Sequence, residues 1–179
     1  MPKPGSLITS QQKTMRAFED IYIPVDWTPL HRAAYEGDIT NYLKAASTTY
    51  VDEVDSLQRS PLHLAIQREH DQIALMLLER GANANQADCD GWTPLHHAAA
   101  KGRLLIASEL LQGGARADAQ NKSFATPLHL AAAYGHKDLV KLLLKKKAKC
   151  DIEDCYERTP RDMAKLLGHT KVKRLIPKK

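Results

Sequence analysis

The segments Thr28-Pro-Leu-His31, Ser60-Pro-Leu-His63, Thr93-Pro-Leu-His96 and Thr126-Pro-Leu-His129, followed by Thr159-Pro160, start 32, 33, 33 and 33 residues apart. Five registers of one period constrain this chain more than its composition does. Every copy must form the same small unit, and the units must pack on one another. Repeat 3 shows the unit in full. Thr93 suits a helix N-cap and Pro94 the first helical position, where its missing N–H would be unpaired in any case. Leu95, Ala98 and Ala99 then share one side of a short helix that Gly102 ends. A second helix follows, with Leu105, Ile106, Leu110 and Leu111 spaced to face inward and Gly113-Gly114 closing it. A helical hairpin with one apolar side cannot bury that side alone, whereas stacked copies share a continuous core.

The departures are informative as well. Repeat 1 has Ala45-Ala46-Ser47 where later repeats carry paired leucines, and it lacks the Gly-Ala turn seen at Gly81-Ala82 and Gly114-Ala115. It is expected to cap the N-terminal end, with Met15, Phe18 and Ile21 covering its outer face. Repeat 5 has Arg161-Asp162 in place of Leu-His, and Pro177 cuts its second helix, as suits a polar C-terminal cap. Glu69 stands where other repeats have Gly37, Gly102, Gly135 and Gly168, so the turn of repeat 2 is expected to be strained or rebuilt. Gln58, Phe124 and Glu157 stand at the position of Gly91, which leaves the hairpin conformations open.

The period and the Thr-Pro-Leu-His opening resemble the ankyrin-repeat family over roughly Ile23 to Ile176. The resemblance implies an all-α solenoid of stacked helix-turn-helix units joined by hairpin loops. It divides the chain into an N-terminal segment 1–22, a repeat domain 23–176 and a basic tail 177–179. It also implies a surface for a protein partner at the hairpin tips and the exposed ends of the first helices. On this chain that surface maps to Trp27, Tyr35 and Glu36 in repeat 1, and to Ser56, Leu57, Arg59, Gln67 and Arg68 in repeat 2. Repeat 3 contributes Cys89, Asp90, Trp92, Ala100 and Lys101, and repeat 4 contributes Lys122, Ser123, Ala125, Ala133 and Tyr134. Repeat 5 adds Tyr156, Arg158, Leu166 and Leu167. Trp, Tyr and Arg are the residues interfaces favour as anchors. For Trp27 and Trp92 two readings stand side by side, packing on a neighbouring hairpin or contact with the partner.

Candidate chemistry is weighed against this architecture. His63, His96 and His129 recur at one repeat phase, with His31 as the cap counterpart, and a group present in every unit is architectural before it is a ligand. In the family it bonds neighbouring backbone and Thr groups. His70, His136 and His169 recur at the start of the second helix, and His97, which breaks the phasing, is expected on the exposed or inter-repeat side. Cys89 lies two repeats from Cys155, on the order of 20 Å at ordinary helix separations, too far to share a metal. No phosphate-binding glycine loop or nucleophile elbow is present. The reading is therefore a non-enzyme with no metal and no cofactor.

No window reaches the roughly 20 apolar residues that cross a bilayer, and the start lacks the apolar core of a signal peptide. Three cysteines without a paired framework fit a reducing compartment, so the expected location is the cytoplasm, with the nucleus as alternative. Residues 126–179 carry 14 Lys and Arg against 6 Asp and Glu, while the first 125 are mildly acidic. The leading expectation is a protein-protein interaction module, an adaptor, scaffold or inhibitor that is a monomer when free and binds on its concave face. The alternatives are binding of nucleic acid or an acidic surface by the basic end, and a translocated effector that borrows the module.

Overall fold

The computed structural model describes residues 25–178. The segment carrying Met15, Phe18 and Ile21, expected to cap repeat 1, lies outside the described residues, as does Lys179. Among the described residues there are ten helices in five hairpins. These are α1 (Pro29–Glu36) with α2 (Ile39–Ala46), α3 (Pro61–Gln67) with α4 (Asp71–Glu79), α5 (Pro94–Lys101) with α6 (Leu104–Gln112), α7 (Pro127–Ala133) with α8 (Lys137–Lys145), and α9 (Pro160–Leu166) with α10 (Thr170–Leu175). First helices pack on first helices throughout, α1 on α3 and onward to α9, and α4, α6, α8 and α10 pack on one another in the same order. The fold is the all-α repeat solenoid that the period predicts.

Leu30, Leu62, Leu95 and Leu128 are fully buried at equivalent positions, each contributing about 1.5–3 kcal/mol by removal from water. Ala33, Ala65, Ala98, Ala131 and Ala164 follow three residues later on the buried side, and their small side chains let neighbouring helices approach closely. In α6 the inward face differs from expectation. Ile106, Ala107 and Leu110 are buried, whereas Leu105 is 55% exposed and Leu111 is only partly buried. A nine-residue helix with four leucines has more apolar side chains than its buried stripe can take, and the Ile106-Ala107 pair takes the seam.

The opening motif builds one device four times. The N-cap Ser or Thr accepts from the N–H three residues on, and the His at that third position accepts the cap's own N–H at Nδ1, with Thr93 N to His96 Nδ1 at 3.1 Å. The other ring nitrogen reaches a carbonyl of the following repeat. His31 Nε2 lies 3.0 Å from Arg59 O, His63 Nε2 3.1 Å from Trp92 O, His96 Nε2 3.0 Å from Ala125 O and His129 Nε2 3.0 Å from Arg158 O. A carbonyl only accepts, so Nε2 carries the proton, and Nδ1, facing an N–H, carries the lone pair. The neutral ring is thereby locked into one tautomer. In repeat 5, Asp162 closes the box on Thr159 but sends nothing onward.

A second set of histidines ties each repeat to the one before it. His70 Nε2 meets Tyr35 O at 3.1 Å, His136 Nε2 meets Ala100 O at 3.0 Å and His169 Nε2 meets Ala133 O at 2.9 Å. Each ring sits where a Cβ would project from the turn glycine of the preceding repeat. A Cβ on Gly37, Gly102 or Gly135 would come within 2.6 Å of His70, His136 or His169. Glycine is needed there both for its positive φ and for the room it leaves. Repeat 2 departs on both sides of the joint at once. Glu69 keeps the turn with φ +64, so the turn is neither rebuilt nor lost, and the residue facing it in repeat 3 is Arg103 instead of His. Arg103 bonds Asp71 at 3.0 Å and Glu69 at 3.4 Å, and Lys101 lies 3.7 Å from Glu69. A joint built on a ring in a glycine notch is replaced by an ionic one.

Burial of His63 and His96 pushes their pKa down to about 4, and burial lowers His31 and His129 as well. A second proton at Nδ1 would also face the cap N–H. Because the folded pKa lies below the unfolded value, the unfolded chain takes up protons first as pH falls. Stability is thus fully present above about pH 6.5 and is lost toward pH 4, each histidine adding about 1.4 kcal/mol per pH unit within its window. Denaturant titrations between these limits should show that loss, and His96→Ala should flatten it. At neutral pH, His96→Ala should cost roughly 2–4 kcal/mol, from two partners left unpaired, and more than His97→Ala. Gly102→Ala should cost about 2 kcal/mol or more. Combined with His136→Arg it should cost less than the two changes summed, by about 1 kcal/mol in a double-mutant cycle. Strict additivity would show that glycine and ring are not coupled.

Candidate interaction surface

Ahead of each cap the chain forms a short hairpin. An Asp or Asn opens each one, at Asp55, Asp88, Asn121 and Asp154, spaced 33 residues apart. Its Oδ1 accepts two backbone N–H groups, those of Leu57 and Arg59, Asp90 and Trp92, Ser123 and Ala125, and Tyr156 and Arg158, all at 2.8–3.0 Å. The backbone closes from Asp88 N to Trp92 O at 2.9 Å and likewise in the other three. All four tips share one conformation. Gln58, Phe124 and Glu157 have φ of 57–59, in the same left-handed region as Gly91, so the side-chain bonds outweigh the cost to a non-glycine residue. Neighbouring tips are joined by backbone bonds, Cys89 N to Leu57 O at 2.8 Å, Lys122 N to Asp90 O at 3.0 Å and Cys155 N to Ser123 O at 2.9 Å. The tips therefore form a registered row and not four independent loops.

The hairpin carboxylates are engaged inside the chain. Burial opposes the ionisation of Asp55, but Arg59 at 2.9 Å outweighs it, with Trp27 Nε1 donating at 3.0 Å, and the carboxyl is held below its ordinary range. Asp154 is lowered in the same way against its own burial by Arg158 at 2.7 Å. Asp88 is lowered against burial by His97, 3.3 Å away. His97 is only 9% exposed, packed 5.0 Å from the ring of Trp92 and edge-on to His63 at 5.6 Å. The exposed alternative for His97 is thus corrected to the inter-repeat one, because Asp88 and Trp92 hold it between hairpins.

The residues singled out on the sequence divide into two groups. Trp27, Arg59 and Arg158 already have partners at hand. Trp27 stacks on Tyr35 at 4.8 Å besides bonding Asp55, and Arg59 and Arg158 pair with the aspartates of their own hairpins. Trp92 is partly buried on His96 and His97, Lys101 faces Glu69, and the guanidinium of Arg68 lies 4.4 Å over Tyr35. Leu57, Asp90, Lys122, Tyr134 and Tyr156 are exposed, and Arg158 lies 4.4 Å over the Tyr156 ring. Phe124, absent from the candidate set, is 56% exposed at the tip of repeat 4. Its signal was available, since a large aromatic at a turn position held by glycine in repeat 3 has no room to fold inward.

All eight histidines of the chain are among the described residues, and each holds a hydrogen bond within the fold. Among the described residues, no group of three or more His, Cys, Asp or Glu is arranged to hold a metal ion, and the three cysteines are free. No curated protein shows significant sequence similarity to the chain. The family model for ankyrin repeats (3 copies) matches it at residues 13–88, 30–121, 81–154 and 105–179, in overlapping registers that together run from residue 13 to the end. With the period, the capping boxes and the hairpin row in place, the chain belongs to the ankyrin-repeat family.

Proposed function

We propose that this protein is a non-catalytic interaction module, an adaptor, scaffold or inhibitor, that holds a partner protein on the concave side formed by its hairpin tips and first helices. The observation that carries the reading is a set of large apolar side chains left in solvent on that side. Leu57, Phe124 and Tyr156 (71% exposed) stand on tips, and Tyr134, Leu166 and Leu167 at the ends of first helices. Solvent-facing aromatics on a backbone already fixed by hydrogen bonds suit recognition, because little conformational entropy is lost on binding. The occupied histidines support a non-catalytic role, since none is left to act as base or ligand. Free Cys89, Cys150 and Cys155 accord with action in the cytoplasm or nucleus.

The reading separates binding from folding. Tyr134→Ala with Tyr156→Ala should weaken partner affinity on the order of 2 kcal/mol or more, with the melting temperature little changed. Trp92→Ala should lower stability instead, because its ring packs on His96 and His97. Affinity capture from the native cell with each variant beside wild type, paired with denaturation of the same preparations, checks both. Full retention of every captured protein by the tyrosine variant would place the interface elsewhere.

A further inference from the structure

Charge is sorted by side in the last two repeats. Along α8 and the turn that leaves it stand Lys137, Lys141, Lys145, Lys146, Lys147 and Lys149, and along α10 and its end stand Lys171, Lys173, Arg174 and Lys178. Against these ten cations the same stretches carry one acid, Asp138, 2.9 Å from Lys141. The remaining acids of repeats 4 and 5 are elsewhere, with Asp154 paired to Arg158 in a hairpin and Asp162 closing the cap of α9. Nine of the ten cations are exposed, Lys173 being the intermediate one.

The arrangement is two-dimensional. Lys137, Lys141 and Lys145 follow at four-residue steps, about 6 Å apart along α8. Lys171 and Arg174 lie on α10, which packs against α8 at a helix separation of about 8–10 Å. A plane of charge can engage both rows at once, where a single strand would follow only one. Lysine is a point charge without planar or bidentate preference, and the exposed residues here include no Asn, Gln or aromatic side chain to read or stack a base. None of the large exposed apolar residues lies on α8 or α10, so nothing on this side would insert below a headgroup layer. No described helix is long and apolar enough to cross a membrane.

We propose that the second-helix side of repeats 4 and 5 docks on the surface of an anionic lipid bilayer, held by charge and without insertion. Clusters of four to eight lysines on a helix are sufficient for such attraction, which decays within a Debye length. The hairpin tips are not used, so the proposal stands or falls apart from the protein-binding reading.

The test is sedimentation of the full chain with phosphatidylcholine vesicles, with and without roughly one part in three phosphatidylserine. The protein should bind the anionic vesicles alone, and raising salt from about 50 to 200 mM should release it by an order of magnitude or more. Lys137→Gln/Lys141→Gln/Lys145→Gln should weaken binding at least about tenfold at an unchanged melting temperature, while Lys137→Arg/Lys141→Arg/Lys145→Arg should bind as wild type. Failure of wild type to bind anionic vesicles at low salt overturns the proposal, as does binding that ignores salt. Release of bound protein by a short DNA duplex at equal phosphate would reassign the surface to nucleic acid and overturn it too.

Discussion

The neutral histidine at the end of each opening motif is the group on which the other features depend. Its ring spans the gap between a helix cap and the next repeat, with lone pair toward one backbone and proton toward the other. No other uncharged ring offers both an acceptor and a donor at that reach. Because the bond ends on a hairpin carbonyl, at Trp92 after His63 and at Ala125 after His96, it sets the distance from each first helix to the following hairpin. The hairpins are then close enough for their tips to bond in a row. Core, caps and candidate surface share one geometric origin.

That origin also explains why the surface is ordered without a core beneath it. Tips of four residues bury little apolar area, and loops of that kind are ordinarily mobile. Here each tip is held by an Asx side chain from within, by a histidine from the previous repeat and by a backbone bond to its neighbour. On the far side, Asp52, Asn85 and Asp118, again 33 residues apart, accept the N–H of Asn83, Arg116 and Lys149 in the next repeat. The array is fastened along both margins, and large apolar side chains can point outward without the loops collapsing on them.

Much of the fold was legible because its signals are local. Thr93-Pro94 states a helix start and Gly102 a stop within ten residues of each other, and repetition multiplies the evidence. The rest depended on contacts the period does not display. That Glu69 tolerates its turn follows from Arg103 across the joint, 34 residues on, and that Leu105 faces solvent follows from which of four leucines the neighbouring helices can accept. His97 was misplaced toward solvent as one alternative because its irregular position gave no hint of Asp88, nine residues back in the hairpin. For the candidate surface, sequence register located the tips, but whether a side chain there is spent internally was decided by partners such as Asp55 for Trp27. The Asx residues went unnoticed, although their spacing equals that of the motif.

The pairing of Glu69 with Arg103 makes the five units chemically unequal where their outlines are alike. A duplication or exchange of repeats joins the turn of one unit to the second-helix start of another, and only matched halves fit. Joining the Glu69 turn to a histidine-bearing unit would drive a Cβ into an imidazole, and joining Arg103 to a glycine turn would strip one of its two carboxylates. Repeats 3 and 4 can be copied in series, since each ends on a glycine turn and repeat 4 supplies the ring that fits it. Repeats 2 and 3 must travel together. The array thus carries, within its own joints, a record of which rearrangements its lineage could accept.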